Sequence, residues 1–393
     1  MRLRRIAALV TLGFVTGCGN SGNSGGASNV LPVTVGAGPA NVAPAQAFAS
    51  VTVCAPGTTN CQTIDGVEID SGSTGLRILA SALTLALPGQ TDSSGNAIAE
   101  CQMFSDSFTW GPVETGDVEL GGETAPGTPL QLIGASGFAA PPSGCVASGL
   151  PSSDTLPTLG ANGILGVGLS AIDCGPGCES PGAGNPGLYY SCNPGGTCVV
   201  TTQAQSLQVP NPVVLLPVDN NGVILSLPSV DAGGAPSASG SLILGIGTQS
   251  NNGLGGATVY TTDDHGNFTT TFAGQSFPAS FIDSGSNGIF FLTSAATGLA
   301  GCTGSLAGSF YCPSSTQTFT VQNTGTNGAS NPVTFDIANA EQLLASSNAV
   351  FPNVGGPMPG GFDFGLPFFL GRQVFVAIAG QDTPAGPGPY WAY

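Results

Sequence analysis

The sequence of 393 residues contains no lysine and only five arginines, against 22 acidic residues. A chain with so little positive charge cannot neutralise the phosphates of nucleic acid, so we exclude nucleic acid as a partner. The absence of lysine also excludes the lysine-containing phosphate-binding loop of nucleotide-binding proteins. The only histidine, His265, lies in a predicted turn between two strand-like runs of residues 259–272, which together read as a hairpin. We interpret His265 as a surface residue.

Long helical periodicity is also missing from the sequence. Short runs of valine, isoleucine, threonine and phenylalanine alternate with turn residues instead, and glycine (62) and proline (31) are abundant. This pattern predicts an all-β fold. Residues 47–53 and 63–69, for example, are predicted strands on either side of a Cys54–Cys61 loop. A chain of this length is long for one core, which favours two lobes.

The N-terminus has the features of an export signal. Three arginines precede an apolar run over residues 6–15 that is too short to span a bilayer. Val15-Thr16-Gly17-Cys18 resembles a bacterial lipobox, which predicts a signal peptide over residues 1–17, lipidation of Cys18 and a flexible tether over residues 18–30. Gly19 favours sorting to the outer membrane of the cell envelope. The alternative is an ordinary signal peptide with a chance cysteine.

The cysteines fit an exported protein. Of the eleven cysteines, ten remain if Cys18 carries lipid, and an even set in an oxidising compartment predicts five disulfide bonds. Pairing nearest neighbours would give 54–61, 101–145, 174–178, 192–198 and 302–312, although spacing alone does not fix connectivity. A metal site at Cys174 and Cys178 has little support because no histidine lies nearby. We expect no metal and no other cofactor.

The strongest internal signal is a repeated Asp-Ser-Gly-Ser. It occurs in VEIDSGSTGLRIL (67–79) and again in SFIDSGSNGIFF (280–291). A carboxylate inside an apolar strand is costly unless hydrogen bonds or chemistry compensate. The repeat therefore predicts two pseudo-symmetric β lobes, residues 31–250 and 251–393, each giving one carboxylate to a shared cleft.

The candidate catalytic residues are Asp70 and Asp283. Two carboxyls within hydrogen-bonding distance share one proton, so one acts as general base on a water while the other polarises a carbonyl. In each copy we expect the glycine to permit a tight turn. We expect the last serine to bond the neighbouring aspartate, and the first serine to bond across the lobes. These supporting residues are Ser71, Gly72, Ser73, Ser284, Gly285 and Ser286.

At these motifs the chain resembles the pepsin-like aspartic peptidases, over roughly residues 48–380. The family's apolar-apolar-glycine strand matches Ile164-Leu165-Gly166 and Phe369-Leu370-Gly371. The resemblance implies an all-β, bilobal pepsin-like fold and a monomer without a cofactor. It also implies hydrolysis of an extended polypeptide held in the cleft by main-chain hydrogen bonds. The lipoprotein start and the cysteines resemble bacterial lipoproteins of an uncharacterised family.

The resemblance also assigns a flap, the hairpin that covers the cleft in this family. Residues 107–122 resemble it, with Trp110, followed by Gly111, where the family has tyrosine. Arg77 replaces a tryptophan that bonds the flap tyrosine in the family, and we expect Arg77 to stack on Trp110.

Together these features predict an exported, lipid-anchored aspartic endopeptidase, a hydrolase that touches the membrane only through its anchor. The alternative is a non-catalytic binding or structural lipoprotein that keeps the same scaffold, because fold alone does not establish activity.

Overall fold

The computed structural model describes residues 28–138 and 140–393. The predicted signal peptide, Cys18 and most of the predicted tether lie outside these residues. Within them, no helix is long and apolar enough to cross a membrane.

The described residues form 24 β-strands. The first twelve are β1 (Val30–Gly36), β2 (Gln46–Cys54), β3 (Cys61–Asp70), β4 (Thr74–Leu79), β5 (Ala97–Met103), β6 (Phe108–Leu120), β7 (Glu123–Ile133), β8 (Gly163–Val167), β9 (Tyr189–Cys192), β10 (Cys198–Val200), β11 (Gly222–Ser226) and β12 (Ala238–Leu244). The others are β13 (Val259–Thr261), β14 (Phe268–Phe272), β15 (Gln275–Ile282), β16 (Ile289–Leu292), β17 (Gln317–Thr324), β18 (Ser330–Ile337), β19 (Gly355–Gly356), β20 (Met358–Phe364), β21 (Gln373–Ala377), β22 (Asp382–Thr383), β23 (Gly386–Pro387) and β24 (Tyr390–Ala392).

Helices are few and short. The residues that the structure describes contain five α-helices of four or five residues each: α1 (Ser143–Val146), α2 (Leu156–Leu159), α3 (Ser294–Thr297), α4 (Ala340–Leu344) and α5 (Leu366–Phe369). The same part of the chain contains four 3-10 turns, at Gly175–Glu179, Gln205–Leu207, Pro212–Leu215 and Gly304–Leu306.

The strands form two large barrel-like sheets, and the predicted all-β, bilobal fold is confirmed. The larger sheet runs β10-β9-β5-β6-β7-β4-β8-β3-β2-β1-β12-β11-β21-β24-β13, and the smaller runs β18-β17-β14-β15-β20-β16-β19. Because β21 and β24 come from the end of the chain but pair within the larger sheet, that sheet ties the two halves together. A separate pair, β22 and β23, lies beside them.

Local sequence explains which strands lie at the surface and which lie inside. In β18, Val333, Phe335 and Ile337 point into the core while the residues between them are exposed, the period-2 pattern of a strand with one wet face. In β4 and β8 every residue is buried, as expected for central strands covered on both faces.

The prediction that residues 259–272 form a hairpin is wrong. The turn at His265 exists, but β13 pairs with β24 in the larger sheet, whereas β14 pairs with β15 and β17 in the smaller sheet. The segment therefore carries the chain from one sheet to the other. Two short strands joined by a turn have the same local sequence pattern whether they pair with each other or with strands of two different sheets. The sequence therefore does not distinguish the two arrangements.

All five nearest-neighbour disulfide bonds are present, and that prediction is confirmed. They are Cys54–Cys61, Cys101–Cys145, Cys174–Cys178, Cys192–Cys198 and Cys302–Cys312. Four of the five lie before residue 200.

Candidate active site

The two motif aspartates stand at equivalent places in the two lobes. Asp70 is the last residue of β3, and Asp283 directly follows β15. Each of these strands has a parallel neighbour, β8 beside β3 and β20 beside β15. The register places Gly166 opposite Asp70, and Phe364 opposite the residue before Asp283.

This register corrects the second apolar-apolar-glycine assignment. The residue opposite Asp283 in the continued register is Gly365, not Gly371, so the strand equivalent to Ile164-Leu165-Gly166 is Asp363-Phe364-Gly365. A Cβ at Gly365 would lie 2.0 Å from the carbonyl oxygen of Gly288, which leaves no room for a side chain. The apolar-apolar-glycine pattern predicts the later glycine because a polar residue, Asp363, interrupts the apolar run that precedes Gly365.

The motif glycines bring the two carboxyls together. A Cβ on Gly72 would lie 2.6 Å from the carboxyl carbon of Asp283, and a Cβ on Gly285 would lie 2.8 Å from Oδ1 of Asp70. The backbone of each turn therefore lies in direct contact with the aspartate carboxyl of the other lobe. The Asp70 side chain lies within hydrogen-bonding reach of Asp283.

Reciprocal bonds join the two turns. The Ser71 N–H donates to Oγ of Ser284 at 3.0 Å, and the Ser284 N–H donates to Oγ of Ser71 at 2.9 Å. The Ser284 hydroxyl donates in turn to the carbonyl of Ile69 at 2.7 Å. These are the cross-lobe contacts that the repeat predicts, and they fix the distance between the two aspartates.

The donors around the two aspartates are not the same. In each motif the glycine N–H donates to the aspartate, at 2.7 Å in the first copy and 2.8 Å in the second. Ser286 also donates its hydroxyl to Oδ2 of Asp283 at 2.9 Å. The matching expectation for Ser73 is wrong, because its buried Oγ has no hydrogen-bond partner among the described residues.

The electrostatics of the pair favour one shared proton. Burial, followed by the charges of Asp70 and Asp363, raises the pKa of Asp283 well above its usual range. A carboxyl pair in this setting does not ionise twice at acid pH.

Two further carboxyls, which sequence reasoning missed, flank the pair. Glu68 lies two residues before Asp70 on the same face of β3 and accepts a bond of 2.6 Å from Gln46. Burial, followed by the charge of Asp70, raises the pKa of Glu68 well above normal. On the other side, burial raises the pKa of Asp363 to about 8. Period-2 spacing from Asp70 would have found Glu68, and the rule that singles out the motif aspartates, a lone carboxylate inside an apolar run, would have found Asp363 between Phe362 and Phe364.

The flap assignment to residues 107–122 is wrong. The β6–β7 turn of this hairpin lies against Ser28 and Leu244, since a Cβ on Gly121 would be 2.4 Å and 3.3 Å from atoms of those residues. Trp110 is buried, edge-on to Tyr190 with ring centres 5.4 Å apart. Gly111 packs so tightly that its Cβ would lie 2.0 Å from the Leu132 carbonyl oxygen.

A different hairpin lies near the cleft. Strands β5 and β6 pair from Ala99 opposite Pro112 to Met103 opposite Phe108, and residues 104–107 close the turn. Asp106 in this turn is close enough to Glu68 to contribute, after burial and Asp70, to the raised pKa of Glu68. We therefore assign residues 104–107 as the hairpin tip on the cleft side.

Arg77 does not stack on Trp110 as expected; it forms a buried ion pair. It is fully buried in β4 and donates to Glu100 of β5 at 2.5 Å and to the Thr74 carbonyl at 2.6 Å. Asp173 lies 3.5 Å from the Arg77 guanidinium. Burial, followed by the charge of Glu100, raises the pKa of Asp173 well above normal. The network links the strand after the first motif to the hairpin on the cleft side.

A cavity of about 300 Å³ opens beside the first motif. Its lining includes Gly72, Leu169, His265, Phe281, Pro389 and Trp391. His265 is exposed in the turn, as predicted, and the Trp391 indole N–H donates to the Gly266 carbonyl at 3.1 Å, which holds that turn in place. The mixed apolar and polar lining suits an amino-acid side chain.

Two clusters of potential metal ligands occur among the described residues, and neither suits a metal. They are Cys54, Cys61 and Glu119, and Cys302, Cys312 and Glu341. In both, the cysteines are joined in a disulfide bond, so no thiolate is available.

The fold is similar to that of a solved aspartic proteinase from Irpex lacteus. The two share 14% sequence identity with a TM-score of 0.52, and the alignment covers 92% of this chain and 96% of that chain. At this identity the likeness establishes a pepsin-like fold and nothing further. No curated protein matches the sequence. A family model described as "Protein of unknown function (DUF3443)" matches residues 25–393, and the chain belongs to this family.

Proposed function

We propose that this protein is an aspartic endopeptidase in which Asp70 and Asp283 share one proton and activate a water. The observation that carries the proposal is the reciprocal contact of each motif glycine with the opposite carboxyl, on a pepsin-like fold. This contact brings two buried carboxyls from different lobes to one point.

The chemistry follows from the shared proton. The ionised carboxyl removes a proton from water as the water oxygen bonds to the peptide carbonyl carbon, while the protonated carboxyl donates its proton to the carbonyl oxygen. As the resulting diol collapses and its carbon–nitrogen bond breaks, the protonated carboxyl donates its proton to the departing amine nitrogen and the ionised carboxyl takes the proton of one diol hydroxyl. The pair returns to its singly protonated state, so no cofactor is required.

The substrate is an extended polypeptide. Its main chain would lie in the cleft between the lobes, under the hairpin tip at residues 104–107, and one side chain would enter the cavity beside Gly72. The enzyme is proposed to act as a monomer.

The decisive test replaces each aspartate by asparagine. Asp70→Asn, Asp283→Asn and the double variant are assayed with an unfolded, apolar-rich protein from about pH 3 to 7. Each single variant should lose at least about a thousandfold of activity, and the double variant should be little worse, because the two groups act as one unit. Asp336→Asn, an exposed carboxyl on β18, is the control and should leave cleavage unchanged.

The second candidate is a binding or structural lipoprotein that keeps the scaffold without turnover. The hairpin tip favours it, because residues 104–107 (Phe-Ser-Asp-Ser) include no tyrosine to close over a substrate. If wild-type protein cleaves no more than the double variant at any pH but still binds unfolded polypeptide, this candidate replaces the first.

We further propose export to the cell envelope and anchoring through lipid on Cys18, with outer-membrane sorting. Cys18→Ser should release the protein from the membrane fraction and abolish incorporation of labelled palmitate. Unchanged partitioning would contradict the anchor without affecting the proposed activity.

A further inference from the structure

Asp363 lies on the same face of the C-terminal lobe as Asp283. Its neighbours along β20, Phe362 and Phe364, are fully buried in the core. Side chains alternate along a strand, so Asp363 points to the opposite face. Asp363 lies opposite Phe281, which is two residues before Asp283. Ile282, the residue between Phe281 and Asp283, is in the core, so Phe281 and Asp283 point to the same face. The two carboxyls therefore share one face of adjacent parallel strands.

Asp363 has almost no compensation for its burial. Only 5% of it is exposed, and its Oδ1 has no hydrogen-bond partner in the part of the chain that the structure describes. Both arginines in that part are engaged elsewhere, Arg77 with Glu100 and Arg372 with the carbonyl and ring of Phe368.

The charged groups that face Asp363 are the carboxyls of Asp70 and Asp283. An ionised Asp363 would thus be a buried anion beside a second anion, which is an expensive arrangement.

Ser286 connects Asp363 to the candidate dyad. Its single hydroxyl proton is donated to Oδ2 of Asp283 at 2.9 Å. Ser286 is also held beside Asp363, because its carbonyl accepts from the N–H of Leu366, just after the end of β20, at 2.7 Å. Because its proton is already committed, the Ser286 oxygen can only accept from Asp363, and only a protonated Asp363 can donate.

We propose that Asp363 is a positioning residue of the catalytic centre: it keeps its proton, donates it in a hydrogen bond to Ser286, and so holds the Ser286 hydroxyl on Asp283. This inference rests on the proposed function. In a series of linked hydrogen bonds each bond strengthens the next, so donation by Asp363 strengthens the bond from Ser286 to Asp283. The raised pKa of Asp363, about 8, keeps it neutral throughout the acid range in which a shared-proton dyad works.

The first arm of the test uses stability and needs no activity. Unfolding is measured from pH 4 to 8 for wild type, Asp363→Asn and the exposed control Asp336→Asn. The native state holds the Asp363 proton more tightly than the unfolded chain, so wild-type stability falls as pH rises toward 8. Asparagine cannot ionise. Relative to Asp363→Asn, wild type should lose at least about a hundredfold in its folding constant across this range. A difference that stays constant with pH overturns the proposal.

The second arm compares Asp363→Asn with Asp363→Leu in peptide cleavage at acid pH. The asparagine amide can donate to Ser286 and leucine cannot. We expect kcat within about threefold of wild type for asparagine and at least about tenfold lower for leucine, with KM within about twofold for both. Equal kcat values for the two variants overturn the positioning role. If wild type cleaves nothing, the proposed endopeptidase activity fails, and the stability arm alone decides whether Asp363 holds its proton.

Discussion

The two copies of Asp-Ser-Gly-Ser have the same four residues but different surroundings. The backbone contacts are matched: each glycine N–H bonds its own aspartate, and each first serine bonds the opposite turn. The last serines differ, since Ser286 bonds Asp283 and Ser73 has no partner among the described residues. A repeated sequence thus reproduces the turn, while the side-chain environment depends on strands that are not repeated.

The flanking carboxyls show the same asymmetry. In the N-terminal lobe Glu68 lies on the strand of the aspartate itself, and Gln46 bonds it. In the C-terminal lobe Asp363 lies on the neighbouring strand, at the place that Ile164 occupies in the first lobe, and its Oδ1 has no partner in the described chain. We expect the two lobes to contribute differently to catalysis although their motifs read alike.

The lobes are also stabilised by different means. The N-terminal lobe has four disulfide bonds and the buried Arg77 network. The C-terminal lobe has a cluster of phenylalanines around Phe291, whose ring lies 5.1 Å from those of Phe319 and Phe335. Aromatic packing tolerates loss of one contact better than a buried ion pair tolerates loss of one partner.

Among the changes that compare the two lobes, Arg77→Met should have the largest effect, a loss of stability. Removing the guanidinium leaves Glu100 buried beside Asp173 without its cation, which should lower the free energy of unfolding by about 3–5 kcal/mol. The measurement is chemical denaturation without reductant. The matched control is Arg372→Met, which removes one carbonyl bond and one contact with a phenylalanine ring in the other lobe, and should cost only about 1 kcal/mol. Equal losses would show that the two lobes do not differ in this way.

Gly72→Ala should disable the site without unfolding the protein. Its methyl group would lie 2.6 Å from the Asp283 carboxyl carbon, so the two carboxyls must move apart and activity should fall about a hundredfold or more. Gly285→Ala should have a similar effect, because this contact is symmetric. Gly256→Ala, where no atom lies within 4 Å, is the control for glycine replacement itself. Full activity of Gly72→Ala would contradict the contact between the lobes.

The smallest effect is expected from replacing the last serine of each motif. Ser286→Ala removes the bond that orients the Asp283 carboxyl and should lower kcat about tenfold, the upper end for a hydrogen bond between neutral groups. Ser73→Ala removes no bond and should change kcat less than about twofold. Steady-state kinetics on both variants with one peptide substrate measure the difference. Identical losses would mean that the two motifs act symmetrically after all.

The sequence alone was enough for the features that depend on local pattern. Alternating apolar residues and frequent turns predicted the all-β class, and the repeated motif predicted two lobes. The five disulfide bonds followed nearest-neighbour order. The candidate aspartates were identifiable because a carboxylate inside an apolar strand needs a reason.

The tertiary structure decided everything that depends on pairing between distant strands. It placed Gly365 rather than Gly371 opposite Asp283, brought Asp363 beside Ser286, and gave Arg77 a carboxylate instead of an indole ring. It also placed the β5–β6 turn, not the β6–β7 turn, near Glu68. These contacts depend on strand register, and a shift of one residue in register would turn every side chain of a strand to the other face. Register between strands far apart in the chain is set by the packing of the whole core, so no local stretch of sequence contains it.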